Sequence, residues 1–377
     1  MNEQPEQMKP RRRGWFKRVF YVLILLLLVF SVYLWATGAR QDPIETGEPS
    51  MKAVVYTDYG APDVLQIRET RKPVPNEDQI LIKVRAASLN PLDWHFMEGT
   101  PYLMRAMGVG LRKPKVPRLG VDLAGVVEEV GKNVTQFKAG DEVFGGKTGA
   151  LAEYICARAD RSMTLKPANV TFEQAAAVPI AGLTALQGLR DKGHVQAGQK
   201  VLINGASGGV GTFAVQIAKS YGAEVTGVCS TRNLELVRSL GADRVIDYTK
   251  EDFTQGEQRY DVILDNVGNQ PLAGFRRVLQ PKGICVMIGG GGPNDGGLIG
   301  PMGRPVQALI MSPFVSQKMG MFMAEITKSD LAILAEMMES GKVKAIIDRT
   351  YPLSQIAEAM RYLEAGHARG KVVIEVQ

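Results

Sequence analysis

The stretch VLINGASGGVG at residues 201–211 constrains the fold of this chain more than any other. A strand-like apolar run enters Gly205, Ala206, Ser207, Gly208, Gly209, Val210 and Gly211, and a helical pattern leaves from Thr212. Glycine there permits a tight turn and lets backbone N–H groups reach an anion, to which the following helix offers the positive end of its dipole. The surroundings alternate: a helix is expected near 172–189, strands at 200–204, 224–229, 244–247 and 284–288, and helices at 212–221 and 233–240. Strand and helix in turn at this spacing require parallel βαβ units. Upstream, short alternating runs at 52–56, 79–86, 122–130, 142–144 and 152–156, broken by Gly, Pro and Asp, read as a mostly β unit.

With a strand before it, a helix after it and a second strand ending near Cys229, the glycine turn reads as a Rossmann-type dinucleotide site rather than an ordinary loop. The end of the second strand selects the dinucleotide. NAD sites usually place Asp or Glu there for the ribose hydroxyls. This chain has Ser230, Thr231 and Arg232 instead, with no carboxylate from 229 to 233. Two hydroxyls and a guanidinium suit a 2′-phosphate, so NADPH is the expected cofactor. Tyr248, just after strand 244–247, can border the adenosine or simply pack.

Lys and Arg number 45 against 39 for Asp and Glu, a net charge of +6. Six of the basic residues fall in 1–18 against two acids, while residues 51–377 carry only +4 and no stripe of basic residues, which argues against nucleic acid as a partner. The basic head abuts 19–36, VFYVLILLLLVFSVYLWA, an uncharged run flanked by Trp15 and Trp35. At ~1.5 Å per residue, and with the uncharged residues 37–39, this reaches across the ~30 Å of bilayer hydrocarbon. One N-terminal transmembrane helix is therefore expected, with 37–50 as its linker. A cleaved secretory signal is the alternative, but the run exceeds the usual signal core. The charge rule places the body on the far side of the membrane, whereas a nicotinamide cofactor argues for the cytoplasmic side. Met51 also opens a self-contained strand, so initiation there would give the body without an anchor. Cys156, Cys229 and Cys285 are odd in number, far apart and set in apolar runs, which fits buried hydrophobes rather than disulfides or a zinc knot.

Further motifs are SLNPLD at 88–93, GVDLAGVV at 120–127, GDEV at 140–143, LGAD at 240–243, VIDY at 245–248 and GKVVI at 370–374. Their order and spacing, together with the glycine turn, resemble the zinc-free quinone oxidoreductase and enone reductase branch of the medium-chain dehydrogenase/reductase superfamily over essentially all of 51–377. The resemblance implies an α/β protein with a GroES-like β-rich catalytic domain at 51–172, a Rossmann NADP-binding domain at 173–311 and a return segment at 312–377 that completes the catalytic domain. Where zinc-containing members carry their catalytic Cys this chain has Asn90, and their His-Glu pair falls at Val121-Asp122. No zinc is expected. The resemblance also puts Asn90 and Asp93 beside the nicotinamide, with Asn90 as oxyanion donor, although NPLD is equally a set of turn formers. It puts Thr184 along the nicotinamide, Asn266 and Val267 on the ribose side, and Lys371 either at a phosphate or capping a strand. Dimerisation through the Rossmann domain is common among such relatives.

Without zinc as Lewis acid, simple alcohol oxidation is hard to support, whereas a quinone or α,β-unsaturated carbonyl delocalises the charge that hydride brings. Hydride transfer from NADPH to such a substrate is the expected function, with His95 or solvent supplying the proton and Tyr154 as a weaker second donor. A zinc-free NADP-dependent alcohol or aldehyde dehydrogenase and a non-catalytic NADPH-binding sensor are the alternatives. Methionine-containing stretches at 97–117 and 302–323 suit either flexible walls for a lipophilic substrate or ordinary core filling.

Overall fold

The computed structural model describes residues 49–288, 303–304, 307–308 and 315–376. The expected membrane span at 19–36 lies outside them, and among the described residues no helix is long and apolar enough to cross a membrane.

The first sheet is organised around β3 (Gln79–Leu89). Its buried positions are nearly continuous rather than alternating, as expected of a central strand covered on both faces. β4 (Asp122–Val130) pairs along one edge of it. The other edge is shared by β6 (Tyr154–Arg158) near Gln79–Lys83 and β15 (Lys371–Glu375) near Ala86–Leu89. β5 (Glu142–Gly146) and β7 (Met163–Leu165) extend the β4 side, and β14 (Ile347–Pro352) runs parallel to β15. β1 (Ser50–Val55) and β2 (Gln66–Arg71) form a separate antiparallel ribbon. Residues from both ends of the chain thus build one apolar core, in which Ile80, Leu89, Trp94 and Leu123 pack with Met360, Val372 and Ile374.

The second sheet has six parallel strands in the order β10-β9-β8-β11-β12-β13. These are β8 (Lys200–Asn204), β9 (Glu224–Cys229), β10 (Arg244–Asp247), β11 (Tyr260–Asp265), β12 (Leu279–Met287) and β13 (Lys318–Met321). Chain order reverses beside β8, so the crevice at the carboxyl ends of β8 and β11 is the switch point where such sheets bind ligands.

Five helices of eight residues or more are named here α1 (Pro91–Glu98), α2 (Pro179–Gln187), α3 (Gly209–Ser220), α4 (Lys328–Glu339) and α5 (Ile356–Glu364). The single helix expected at 172–189 is broken into Phe172–Ala176 and α2, because Pro179 has no N–H to continue the first helix and suits the first turn of the second. α3 starts at Gly209, earlier than the expected Thr212. β13 joins the parallel sheet beside β12, so the expected boundary at 312 falls before that sheet ends, and the return to the first sheet runs through α4 and β14.

Gly211 fixes α3 against the turn, since a Cβ on it would lie 2.1 Å from the Gly205 carbonyl oxygen. Gly320, with nothing within 4 Å of the same construction, provides the contrast. Gly211→Ala is expected to lose roughly 1–3 kcal/mol of stability in urea unfolding, as overpacked sites do, and Gly320→Ala to change little.

Candidate active site

Where β3 ends, the backbone of Asn90 is extended and Pro91 opens α1. Asp93, in the first turn, accepts the Asn90 N–H at 2.8 Å and the Gly120 N–H at 3.2 Å, so one carboxylate satisfies the helix start and ties it to the approach to β4. Asn90 Nδ2 donates to Asp122 Oδ2 at 2.9 Å, and Asp122 also accepts from Ser88 Oγ at 3.1 Å and from the Ile180 N–H at 3.0 Å. Lys371 completes the cluster. Its Nζ donates to the Leu89 carbonyl at 2.9 Å and to Asn90 Oδ1 at 2.6 Å, and lies 3.5 Å from Asp122 Oδ2.

All five side chains are at most 3 % exposed. Burial pushes the Asp93 carboxyl up to about 7 against the pull of the Asn90 N–H, and the nearby Asp122 charge adds to the rise. It also raises Asp122 and lowers Lys371, although each moderates the other. The cluster decides which way the Asn90 amide faces: its oxygen meets an ammonium and its nitrogen a carboxylate, so the amide is fixed from both ends. One of its two N–H groups is spent on Asp122.

Lys371 also joins this cluster to the glycine turn. Gly370 donates its N–H to the Ser207 carbonyl at 2.9 Å, and the Lys371 Cδ lies 3.1 Å from where a Cβ on Gly209 would sit. The backbone at Gly370, φ +88°, presses against the Ile346 carbonyl, which leaves no room for a side chain. Of the two roles expected for Lys371, capping a strand matches its bond to the last carbonyl of β3, and its ammonium is taken up inside the cluster.

The turn itself fits a dinucleotide. Gly205 takes φ +77°, and around Gly208 no atom comes closer than 3.5 Å to a constructed Cβ, so the N-terminus of α3 stays open. Asn233, which the sequence reading did not single out, donates to Ser207 Oγ at 3.0 Å and Ser230 Oγ at 3.2 Å and links the turn to the end of β9. Thr231 donates to Asp247, which also accepts two bonds from Thr249, and these hydroxyls hold its carboxyl below the usual range. Arg232 donates to the His367 carbonyl, and Tyr248 is exposed. Asn266 Nδ2 donates to the Asn204 carbonyl at 3.0 Å while its Oδ1 is buried without a partner, an acceptor suited to a ribose hydroxyl. Val267 is 40 % exposed beside Gly205. The Thr184 hydroxyl donates to the Ile180 carbonyl at 2.6 Å, one helical turn back along α2.

Other expected residues lie apart. No hydrogen bond or ion pair joins His95 to the cluster, its Nδ1 is buried without a partner, and burial lowers its pKa, which disfavours the protonated form that a proton donor needs. Tyr154 pairs with Lys83, seven residues or ~20 Å along β3 from Asn90, and packs under Lys72, which removes it as a proton donor. Met319 and Met321 pack on the core of the second sheet instead of lining a substrate wall, while Met302 and Met311 lie outside the described residues. Cys229 and Cys285 are buried and Cys156 half-buried, all three raised in pKa by burial. The oxygens of Asn90 and Asp122 are turned on an ammonium and fit a metal poorly, and among the described residues no group of three His, Cys, Asp or Glu could hold one.

Residues 76–168 match the family described as alcohol dehydrogenase GroES-like domain, and 240–374 match zinc-binding dehydrogenase. The 2-methylene-furan-3-one reductase of Solanum lycopersicum is 40% identical over 86% of this chain and 79% of its own. The chloroplastic NADPH-dependent alkenal/one oxidoreductase of Arabidopsis thaliana is 38% identical over the same shares. The solved quinone oxidoreductase from Coxiella burnetii superposes with a TM-score of 0.76 at 31% identity, covering 87% of this chain and all of its own. The chain belongs to the medium-chain dehydrogenase/reductase superfamily, among its quinone oxidoreductase and enone reductase members.

Because the folded Asp93 holds its proton up to about 7, well above the ~3.9 of an unfolded Asp, the stability it contributes is full below the unfolded value. That contribution falls by up to ~1.4 kcal/mol per unit as pH rises towards 7. Asp93→Asn is expected to flatten this slope in urea titrations, at a uniform cost of ~1–3 kcal/mol for an amide nitrogen set against a backbone N–H.

Proposed function

We propose that the protein is an NADPH-dependent reductase that delivers hydride to a quinone or an α,β-unsaturated carbonyl without zinc. The observation that carries this is the Asn90 amide, held from both ends by Lys371 and Asp122, whose second N–H we assign to the substrate oxygen. The names of the relatives, an alkenal/one oxidoreductase and a furanone reductase, support the same substrate class.

The glycine turn and the start of α3 hold the pyrophosphate, Ser230, Thr231 and Arg232 the 2′-phosphate, and Asn266 a ribose hydroxyl. The Asp247 carboxylate beside Thr231 is taken up by hydroxyl donors, with Lys250 3.7 Å away, which limits its repulsion of a phosphate. A bound nicotinamide supplies the hydride. As hydride arrives, negative charge collects on the substrate oxygen, and the free N–H of Asn90 stabilises it there without having to reorient. Solvent then protonates the enolate or quinolate, since burial disfavours the protonated form of His95 and no hydrogen bond joins it to the cluster. A simple alcohol gains little from this arrangement, because one amide N–H replaces a metal poorly in stabilising an alkoxide.

The 19–36 run anchors this body to a membrane, with the body on the side that holds NADPH. Among the described residues β13 pairs with β12 alone, and the edge this leaves suits a homodimer.

Purified protein treated with chelator is expected to oxidise NADPH with an enal or a quinone as acceptor. Binding of NADPH with no turnover on either acceptor would point to the sensor, and metal-free oxidation of simple alcohols to the dehydrogenase. Arg232→Ala should raise the KM for NADPH on the order of tenfold and leave that for NADH nearly unchanged. Asn90→Ala should lower kcat on the order of a hundredfold with the NADPH KM preserved.

A further inference from the structure

The lobe at 102–116 joins α1 to the segment leading into β4 and holds an unusual surface. Tyr102, Leu103, Met107, Leu111 and Val116 are all exposed, Met107 to 76 %. No other described stretch of that length holds more than two exposed large apolar side chains. From Gly99 to Val121 the chain has no acidic residue and five cations, of which Arg112, Lys113 and Lys115 are exposed. The weak charge of the body as a whole conceals this local excess.

The lobe is built, not loose. The Arg105 guanidinium lies between the rings of Tyr59 and Tyr102, 4.2 and 4.8 Å from their centres, and donates to the Gly99 and Glu98 carbonyls. Tyr59 donates its hydroxyl to the Gly110 carbonyl at 2.6 Å, and Gly110, at φ +124°, packs against the Lys113 carbonyl. A root pinned in this way presents the apolar tip to the outside. Lys113 is partly engaged by exposed Asp58, whereas no ion pair involves Arg112 or Lys115 among the described residues.

We propose that the 102–116 lobe docks on an anionic lipid surface, with its apolar side chains at the headgroup boundary and Arg112, Lys113 and Lys115 over the phosphates. The proposal rests on the anchor reading above. Position supports it: the end of the lobe meets the end of β1, where Tyr56 donates to the Pro117 carbonyl at 3.1 Å, and β1 begins where the linker from the anchor enters. The six residues of β1 span ~20 Å, and the linker reaches up to ~40 Å when extended, so anchor and lobe can meet one surface. The chain's own 19–36 run is a poor cover, because it has no acid and follows a basic head that repels the lobe. Since Asn90 lies at one end of α1 and the lobe follows the other, docking would place a bilayer-dissolved quinone or enone beside the site.

The test is hydrogen exchange on the full chain in nanodiscs of phosphatidylcholine alone and of phosphatidylcholine mixed with phosphatidylglycerol, with detergent-held protein as reference. Slowed exchange at 102–116 only on the mixed lipid supports docking. Arg112→Ser, Lys113→Ser and Lys115→Ser combined should reverse it, lowering the docked-to-undocked ratio on the order of a hundredfold, with turnover of a water-soluble quinone unchanged. Incorporation into nanodiscs without protection at the lobe, or equal protection on both lipids, overturns the anionic docking while the anchor reading stands. Elution free of both nanodiscs overturns the anchor and the docking together. Protection that grows with protein concentration in detergent assigns the lobe to a second copy of the chain and overturns the proposal.

Discussion

The buried ammonium of Lys371 has almost no water around it, and the organisation of the candidate site follows from how its protons are satisfied. A cation at 3 % exposure is tolerable only if acceptors surround it, and these are supplied by the last carbonyl of β3, the Asn90 amide and the Asp122 carboxylate. Two of these acceptors are neighbours where β3 passes into α1, and the third lies at the start of β4. Lys371 itself arrives on β15, the last strand of the chain, directly after Gly370 has bonded to the glycine turn. A single stretch of chain, Gly370-Lys371, therefore links the glycine turn to Asn90, the residue proposed to meet the substrate.

The same contact bears on the proposed zinc-free chemistry in a superfamily with zinc-containing branches. Where a metal would draw on oxygen and sulfur ligands, this chain places a tethered cation that neutralises Asp122 and turns the Asn90 amide. Positive charge is kept inside the fold, and under the proposed function a hydrogen-bond donor of Asn90 meets the substrate. Such a donor is enough where hydride addition spreads charge through a conjugated system, and less so for a localised alkoxide.

Much of this was legible in the sequence, and the reasons differ by residue. The glycine turn was readable because its neighbours in sequence are its neighbours in space, so that strand, turn and helix form a local unit. Asn90 and Asp93 were readable through their motif. The contacts of Lys371 were not readable because its partners lie up to 282 residues away in number on other elements, and no local pattern records an antiparallel pairing between β15 and β3. Asp122 was noticed only as the place where a metal ligand was missing, and Asn233 not at all, since one amide bridging two serines leaves no periodic trace. Tyr154 failed for the opposite reason: its strand was predicted, but register alone decides which end of β3 it meets. The boundary at 312 missed β13 because a four-residue strand of methionine and glycine scarcely stands out from a loop.

The central claim is that Lys371 acts on the substrate through Asn90, and a double-mutant cycle on kcat with NADPH and an enone tests it most directly. Lys371→Met and Asn90→Ala should each slow turnover, and Lys371→Met should have little further effect once Asn90 is already alanine, in variants whose near-UV circular dichroism matches the parent. Independent effects that multiply in the double variant would contradict the account and give Lys371 a separate role.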